Sequence, residues 1–429
     1  MAYTKRLQDH AKTLGRDVRV ALVGAGQMGH GFGCQIARMP GLSLTLVVDI
    51  DPARIHALFK DIGINDVVVS TDPKVVADAL LAGKAAGTTT TEFISELPYD
   101  IVVEATGVPD IGARVTYQSL LAKKDVAVLN VEMDVTIGPL LHKTALLGGS
   151  VYTVCHGDEP VEAKVLVDFA RDLQLEVVAA GKGKNNPFEP LSNPDTVKDR
   201  ASAKQMNPKM LCSFTDGTKT MVEMAALANT TGLELSKRGM YGPAATVKTL
   251  QNVFALQADG GVLDRPGVVD YCTGDVAPGV FVIVRSDTPY INHELTYLGM
   301  GSGPYFALYR PFHLASVEAP LSVARAVLDR ESSLFAPHLQ AEVCTMAKKD
   351  LNPGDKIDGI GGYTVRGYSD IASDARRENL VPIGLIQGAI VQKPIKVGDL
   401  ISYDQVELNE SSLIVQLRRM QDNLGLTYA

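Results

Sequence analysis

Over roughly the first 155 residues, short apolar runs alternate with segments of helical period. The runs DVRVALVG, LTLVVDI, YDIVVEATG, DVAVLNVE and SVYTVCHG read as strands. Between them HGFGCQIARMPG, ADALLAGKAAG, ARVTYQSLLAKK and GPLLHKTALLGG read as helices. Strands alternating with helices imply an α/β architecture, a parallel sheet covered on both faces. The preceding MAYTKRLQDHAKTLGRD is polar and also helical in pattern. From 156 to 335 the texture is α+β: EAKVLVDFARDLQLEVVAAGKGK predicts a helix then a strand, and MNPKMLCSFTDGTKTMVEMAALANTTG predicts one long helix. GVFVIVRS and YFALYRPFHL follow as strands, the second after the glycine turn LGMGSGPY. From 336 to 429 short strands broken by PG, GG and VGD turns predict a small β-rich domain closed by the helix SSLIVQLRRMQDNLG.

The first strand runs into Gly24, Gly26 and Gly29, with Gln27 and Met28 between the last two, and the second strand ends in Asp49. This spacing is that of a dinucleotide-binding βαβ unit, so residues 1–155 are expected to be a Rossmann domain. Gly24 permits the tight turn, Gly26 lets a pyrophosphate approach the backbone, and Gly29 lets the helix pack closely on the strand. Asp49 is placed to accept from the ribose hydroxyls and to repel a 2′-phosphate, which favours NAD over NADP, with Arg54 nearby softening the preference. Ligands of such sheets lie beyond the carboxyl ends of the strands, which puts Thr106, Gly107, Asn130 and Glu132 along the cofactor cleft.

At 429 residues the chain exceeds one core, and two or three domains are expected. The formal net charge of −8 comes without a basic run, which argues against nucleic acid and against an electrostatic hold on anionic membrane. No apolar stretch reaches about 18 residues and the N-terminus lacks the apolar core of a signal peptide, so a cytoplasmic protein is expected. Cys34, Cys155, Cys212, Cys272 and Cys344 are widely spaced with no CxxC pair, the pattern of reduced, buried thiols rather than a zinc site. Cys155 beside His156 is a conceivable nucleophile, but a buried structural thiol is the commoner state.

The chemistry concentrates in the middle segment. Asp216, Lys219 and Glu223 recur at i, i+3, i+7, which on one continuous helix gives a single charged face beside Thr220. A lysine there can polarise a carbonyl or alkoxide, and carboxylates can move protons or hold a divalent cation such as magnesium or manganese. The alternative is an ordinary solvated ion-pair face. GKGKNNP carries Lys182, Lys184, Asn185 and Asn186, a set suited to surrounding a phosphate or carboxylate, with Lys204, Asn207 and Lys209 downstream. His293 and His313 have no partners at metal-ligand spacing and read as structural.

With these residues in place, the chain resembles the DXR-like (DRL) reductoisomerases, which are related to homoserine dehydrogenase and carry a C-terminal SAF domain. The resemblance rests on VGAGQMG, EATGVP, NVEMDVTIGP, GDEP, AGKGKNNP, MNPKML, DGTKTMVEMAALANTTGL, GMGSGPYF, YRPFHL and AKKDLNPGD, spread over nearly the whole chain. It implies conversion of 1-deoxy-D-xylulose 5-phosphate to 2-C-methyl-D-erythritol 4-phosphate with NADPH. It also implies that Lys182, Lys184, Asn185 and Lys204 line the anion end of the site. Asp216, Lys219 and Glu223 would then face the reacting carbonyl, and Gly301 and Gly303 would close over the cofactor. Asp49 and Asp51 depart from a site built for a 2′-phosphate, which leaves the cofactor, the direction of reaction and the substrate open. The expectation is a nicotinamide-dependent oxidoreductase acting on a small anionic polyhydroxylated substrate, with or without isomerisation, in a homodimer or higher homo-oligomer. A simple hydroxy-acid dehydrogenase and a non-catalytic NAD-binding protein are the alternatives.

Overall fold

A computed structural model describes residues 2–428. The chain forms two compact units: one runs to Asp158 and regains Leu314–Pro337, and the other takes Glu159–His313 and the chain from His338 onward.

The first unit opens with helix α1 (Tyr3–Leu14) and then alternates β1 (Val18–Val23), α2 (Gln27–Ile36), β2 (Leu42–Val48), α3 (Pro52–Asp61), β3 (Val67–Val69), α4 (Pro73–Leu81), β4 (Ala85–Thr88), β5 (Ile101–Glu104), α5 (Pro109–Leu121), β6 (Asp125–Val128), α6 (Val131–Gly148) and β7 (Tyr152–Val154). Its strands form one sheet in the order β3-β4-β2-β1-β5-β6-β7, every pair parallel. A parallel sheet covered on both faces needs apolar strands throughout, and Val20, Leu22, Leu46, Val47, Val102 and Val126 are fully buried. Asp-Pro pairs start two of the helices: Asp51 accepts from Ala53 N and Asp72 from Lys74 N, each with proline at the first helical position, where its missing N–H costs nothing. The regained segment supplies α13 (Ala315–Asp329), whose Ala319, Val323 and Ala324 join the core that holds Phe32 and Leu7.

Two strands here depart from the sequence pattern. VVV at 67–69 is too short to register, and AAGT at 85–88 sits in a run that reads as helix, because alanine and glycine favour strands only when paired neighbours hold them. A further departure concerns NVEMDVTI, expected at the end of a strand. Asn130 instead caps α6 by accepting from Met133 N, and the helix continues through Gly138 and Pro139, where the pattern placed its start.

In the second unit the order is α7 (Glu159–Asp172), β8 (Glu176–Gly183), α8 (Lys198–Ala203), α9 (Pro208–Thr215), α10 (Thr218–Thr231), β9 (Glu234–Leu235), β10 (Ala244–Ala245), α11 (Leu250–Val253), β11 (Val268–Gly274), β12 (Val280–Arg285), α12 (Pro289–Tyr297) and β13 (Phe306–Arg310). After 337 come β14 (Ala341–Ala347), β15 (Val365–Ile371), α14 (Ala372–Arg377), β16 (Ile390–Val391), β17 (Val406–Glu407) and α15 (Leu413–Asn423). The main sheet runs β10-β11-β8-β12-β13, with β8 parallel to β11 and antiparallel to β12. Of the later strands, β14 pairs with β15 and β16 with β17, both antiparallel.

Helix α10 organises this unit. Nearly every residue of it is buried, the polar Thr218, Thr220, Glu223 and Asn229 included. The chain after 337 closes on it through polar bonds: Asn229 Oδ1 accepts from Gln340 N (2.7 Å) and Ala341 N (2.8 Å), and Thr218 Oγ1 from Gly367 N (2.9 Å). No helix among the described residues is long and apolar enough to cross a membrane.

Candidate functional site

In the first unit the glycine turn is built as a phosphate cradle requires. Gly24 has φ of 93°, and a Cβ there would lie 2.8 Å from the Ala105 backbone. A Cβ on Gly29 would lie 1.8 Å from the Gly24 carbonyl oxygen, so only glycine lets α2 approach β1 this closely. Gly26 is different: its backbone is ordinary and a Cβ would meet nothing within 4 Å. Space is therefore kept over Gly26, at the start of a helix whose first turn no side chain caps. Free N–H groups facing open space at a helix N-terminus suit a pyrophosphate. Gln27 and Met28 form the first turn of α2.

Asp49 is 7% exposed, and its two oxygens accept from Ala25 N (2.7 Å) and Asp51 N (2.9 Å), so it braces the glycine turn. Arg54 lies 4.0 Å from it, and Ile50, the next residue, is 89% exposed. At the end of β5, Thr106 N donates to Glu104 (2.8 Å) and Thr106 Oγ1 bonds the same oxygen, while Gly107 follows in the left-handed region at φ 66°. Asn130 and Glu132 are buried at the start of α6. Burial, opposed by the Thr106 and Asn130 hydrogen bonds, pushes Glu104 up to about 7. Burial does the same to Asp134, which also reaches about 7 although it accepts from Tyr152 Oη at 2.8 Å.

In the second unit β8 and α10 bring the charged residues together. Lys182, near the end of β8, is buried and donates to Glu159 Oε1 (2.7 Å) and to Glu223. Burial alone would lower its pKa; the two carboxylates override this and hold it above the ordinary lysine value. Lys219 reaches the other oxygen of Glu223 at 3.7 Å, and His313 Nε2 stands 3.3 Å from Glu159. Glu159 and Glu223 belong to a group of acids whose oxygens lie within 4.8 Å of one another, close enough to hold a metal ion.

Lys184 is two residues on, 7% exposed, and donates to the Phe214 carbonyl at 2.8 Å. Burial, joined by the positive charge of Lys182, pulls it down to about 8. A buried amine near neutrality exchanges protons readily.

The single charged face expected for Asp216, Lys219 and Glu223 does not exist. Asp216 caps the end of α9, and Gly217 at φ 91° breaks the helix before α10 begins. Asp216 pairs with Lys348 Nζ (3.0 Å) and accepts from Thr218 N (2.9 Å), while Lys219 and Glu223 belong to the Lys182 cluster. A helix wheel assumes unbroken αR backbone, and one left-handed glycine turns the following residues to another face.

Of the other residues of the motif, Asn185 is exposed and Asn186 half-buried; Lys204 is exposed at the end of α8, 3.5 Å from Asn186 Oδ1. Asn207 caps α9, and Lys209 donates to the Asp358 carbonyl at 3.1 Å. Gly301 and Gly303 lie between α12 and β13 with φ of 121° and 67°. Three residues escaped sequence reasoning: Glu159 and Lys348, which pair with the charged residues above, and Arg366, buried on β15 with its ring contacts to Phe188 and Tyr368. Glu159 lies in GDEP and Lys348 in AKKD, segments whose family resemblance was the only signal for them. Arg366 had none.

Residues 157–319 match the family model described as oxidoreductase DRL, catalytic domain. This segment is a DRL catalytic domain. The family described is one of oxidoreductases. No curated protein matches it. Among solved structures it is similar to 1-deoxy-D-xylulose 5-phosphate reductoisomerase from Zymomonas mobilis in complex with NADPH, at 17% identity and TM-score 0.34 over 48% of this chain and 57% of that one. A probable dehydrogenase from Thermotoga maritima gives 12% identity and TM-score 0.44 over 73% and 90% of the two chains. A scyllo-inositol dehydrogenase from Lactobacillus casei, with bound NAD(H) and scyllo-inositol, gives 12% and 0.39 over 68% and 76%.

Proposed function

We propose that this DRL-type protein is a nicotinamide-dependent oxidoreductase of a small, anionic, polyhydroxylated substrate: 1-deoxy-D-xylulose 5-phosphate, or a related sugar phosphate or sugar acid. The observation that carries this reading is the contrast between Lys182, near the end of β8, and Lys184, just past it. Lys182 is clamped between two carboxylates as a permanent cation, whereas Lys184 is buried without one and held near pH 8. One amine fixes charge; the other passes a proton to or from a substrate oxygen. Lys219 and Glu223 extend the charged wall, and Asn185, Asn186 and Lys204 provide donors toward the anionic end.

The glycine turn of the first unit fits a dinucleotide, which when bound supplies or accepts the hydride. Gly26 leaves room for its phosphates, Asp49 and Thr106 flank the turn, and the exposed Ile50 offers an apolar surface to an adenine. The acid at the end of β2 favours NAD over NADP. Glu159 and Glu223 are the residues that would hold a divalent cation. A SAF-like character for the segment after 336, a homodimer and a cytoplasmic location belong to the same reading.

The test is a spectrophotometric scan at 340 nm of the full chain with NAD(H) and NADP(H) against sugar phosphates, sugar acids and polyols. Turnover that Lys184→Met abolishes while nucleotide affinity stays within twofold supports the reading. Nucleotide binding without turnover on any of these classes, or turnover that survives Lys184→Met, removes it.

A further inference from the structure

Arg366, on β15, is 8% exposed, yet no carboxylate among the described residues pairs with it. Its Nη1 is buried without any hydrogen-bond partner, and its Nη2 touches only the Met346 sulfur, at 3.0 Å, across the β14–β15 pair. Aromatic rings are its company: its Cζ lies 5.8 Å from the centre of Phe188 and 5.1 Å from that of Tyr368. Lys184, the other buried cation of this unit without an ion pair, has its Nζ 5.9 Å from the same Phe188 ring. Asp216, whose charge acts on both, is already committed to Lys348 and to Thr218 N. A buried charge without a counter-ion is expensive, and a ring face is a weaker partner than an oxyanion. Phe188 is 41% exposed, on the segment that follows β8, and its ring lies beside both cations.

We infer that Arg366 and Lys184 form a two-cation subsite for a doubly charged tetrahedral oxyanion, which takes over from Phe188 as their common partner. The region after 337 thereby supplies a ligand-recognition residue as well as packing. Two unpaired cations match a phosphate monoester better than a single carboxylate, and a guanidinium binds two of its oxygens at once. This deepens the proposed function and rests on its placing Lys184 against the substrate: the same ammonium then meets a phosphate oxygen as well as the reacting oxygen.

The experiment is isothermal titration calorimetry of the full chain, free of nucleotide, with inorganic phosphate and separately with gluconate. Phosphate should bind, and Arg366→Met and Lys184→Met should each weaken it at least tenfold. Arg366→Lys, which keeps the charge but loses the fork, should recover part of the loss. Thermal melts of the three variants identify any that fail to fold, and Arg366→Lys then carries the comparison. No phosphate binding, phosphate affinity unchanged in Arg366→Met, or binding of gluconate alone overturns the subsite. The titration involves neither hydride transfer nor turnover, so its failure leaves the oxidoreductase reading standing. A protein that binds phosphate but is inert with every nucleotide and substrate loses that reading and keeps this one.

Discussion

Single residues in this protein differ in role because their surroundings differ. Lys184 sits at about 8 because burial, joined by the charge of Lys182, disfavours its ammonium form. If the ammonium protonates the substrate oxygen during reduction, kcat falls as pH rises through about 8, and Lys184→Arg pushes that limb beyond the accessible range; a pH–rate profile of both proteins checks this. Glu104 and Asp134 show the same physics in the first unit. Each is raised to about 7 by burial, so the folded protein holds protons that the unfolded chain releases from about pH 4 upward. Their contribution is therefore complete in acid and is lost as pH rises toward 7, on the order of 3 kcal/mol per carboxyl. Urea unfolding at pH 5 and pH 8 should show a smaller loss in Glu104→Gln/Asp134→Asn than in the wild type. An equal loss in both would mean that these carboxyls ionise normally.

At the scale of the element, the turn from β1 into α2 separates structural glycine from glycine kept for a ligand. Gly29→Ala drives a methyl into the Gly24 carbonyl at 1.8 Å and should lower Tm by several degrees. Gly26→Ala meets no protein atom and has an ordinary φ, so Tm should hold while NAD affinity drops tenfold or more. Calorimetry and fluorescence titration read the two effects separately, and equal behaviour of the two variants would deny the cradle. The strand-to-helix spacing of this element was legible in the sequence because the steric demands on its glycines are local. The helix holding Asp216 was legible only in part. Its apolar period spans Gly217, and nothing in a period reports that φ at one glycine is positive.

At the scale of the whole molecule, the region after 337 is part of the second unit. It supplies Lys348 to Asp216 and closes on α10 through Asn229 and Thr218. Removing it takes from Asp216 the lysine that neutralises it, and losing one partner of a buried pair costs about 3–5 kcal/mol. A chain truncated at 337 should therefore lose the cooperative unfolding transition of the second unit, rather than shed an independent module. Two intact calorimetric transitions after truncation would show that the region folds separately.

The amino-acid sequence alone determined the parallel α/β layering, the glycine turn and the lysine-bearing strand, because each depends on residues a few positions apart. Only the tertiary structure decided which charges are neutralised. Asp216 meets a lysine 132 positions away, Lys182 is held by acids from two different helices, and Arg366 is left with aromatic rings. Ion pairing depends on distances through space and on the water excluded around them, and neither is written in local spacing.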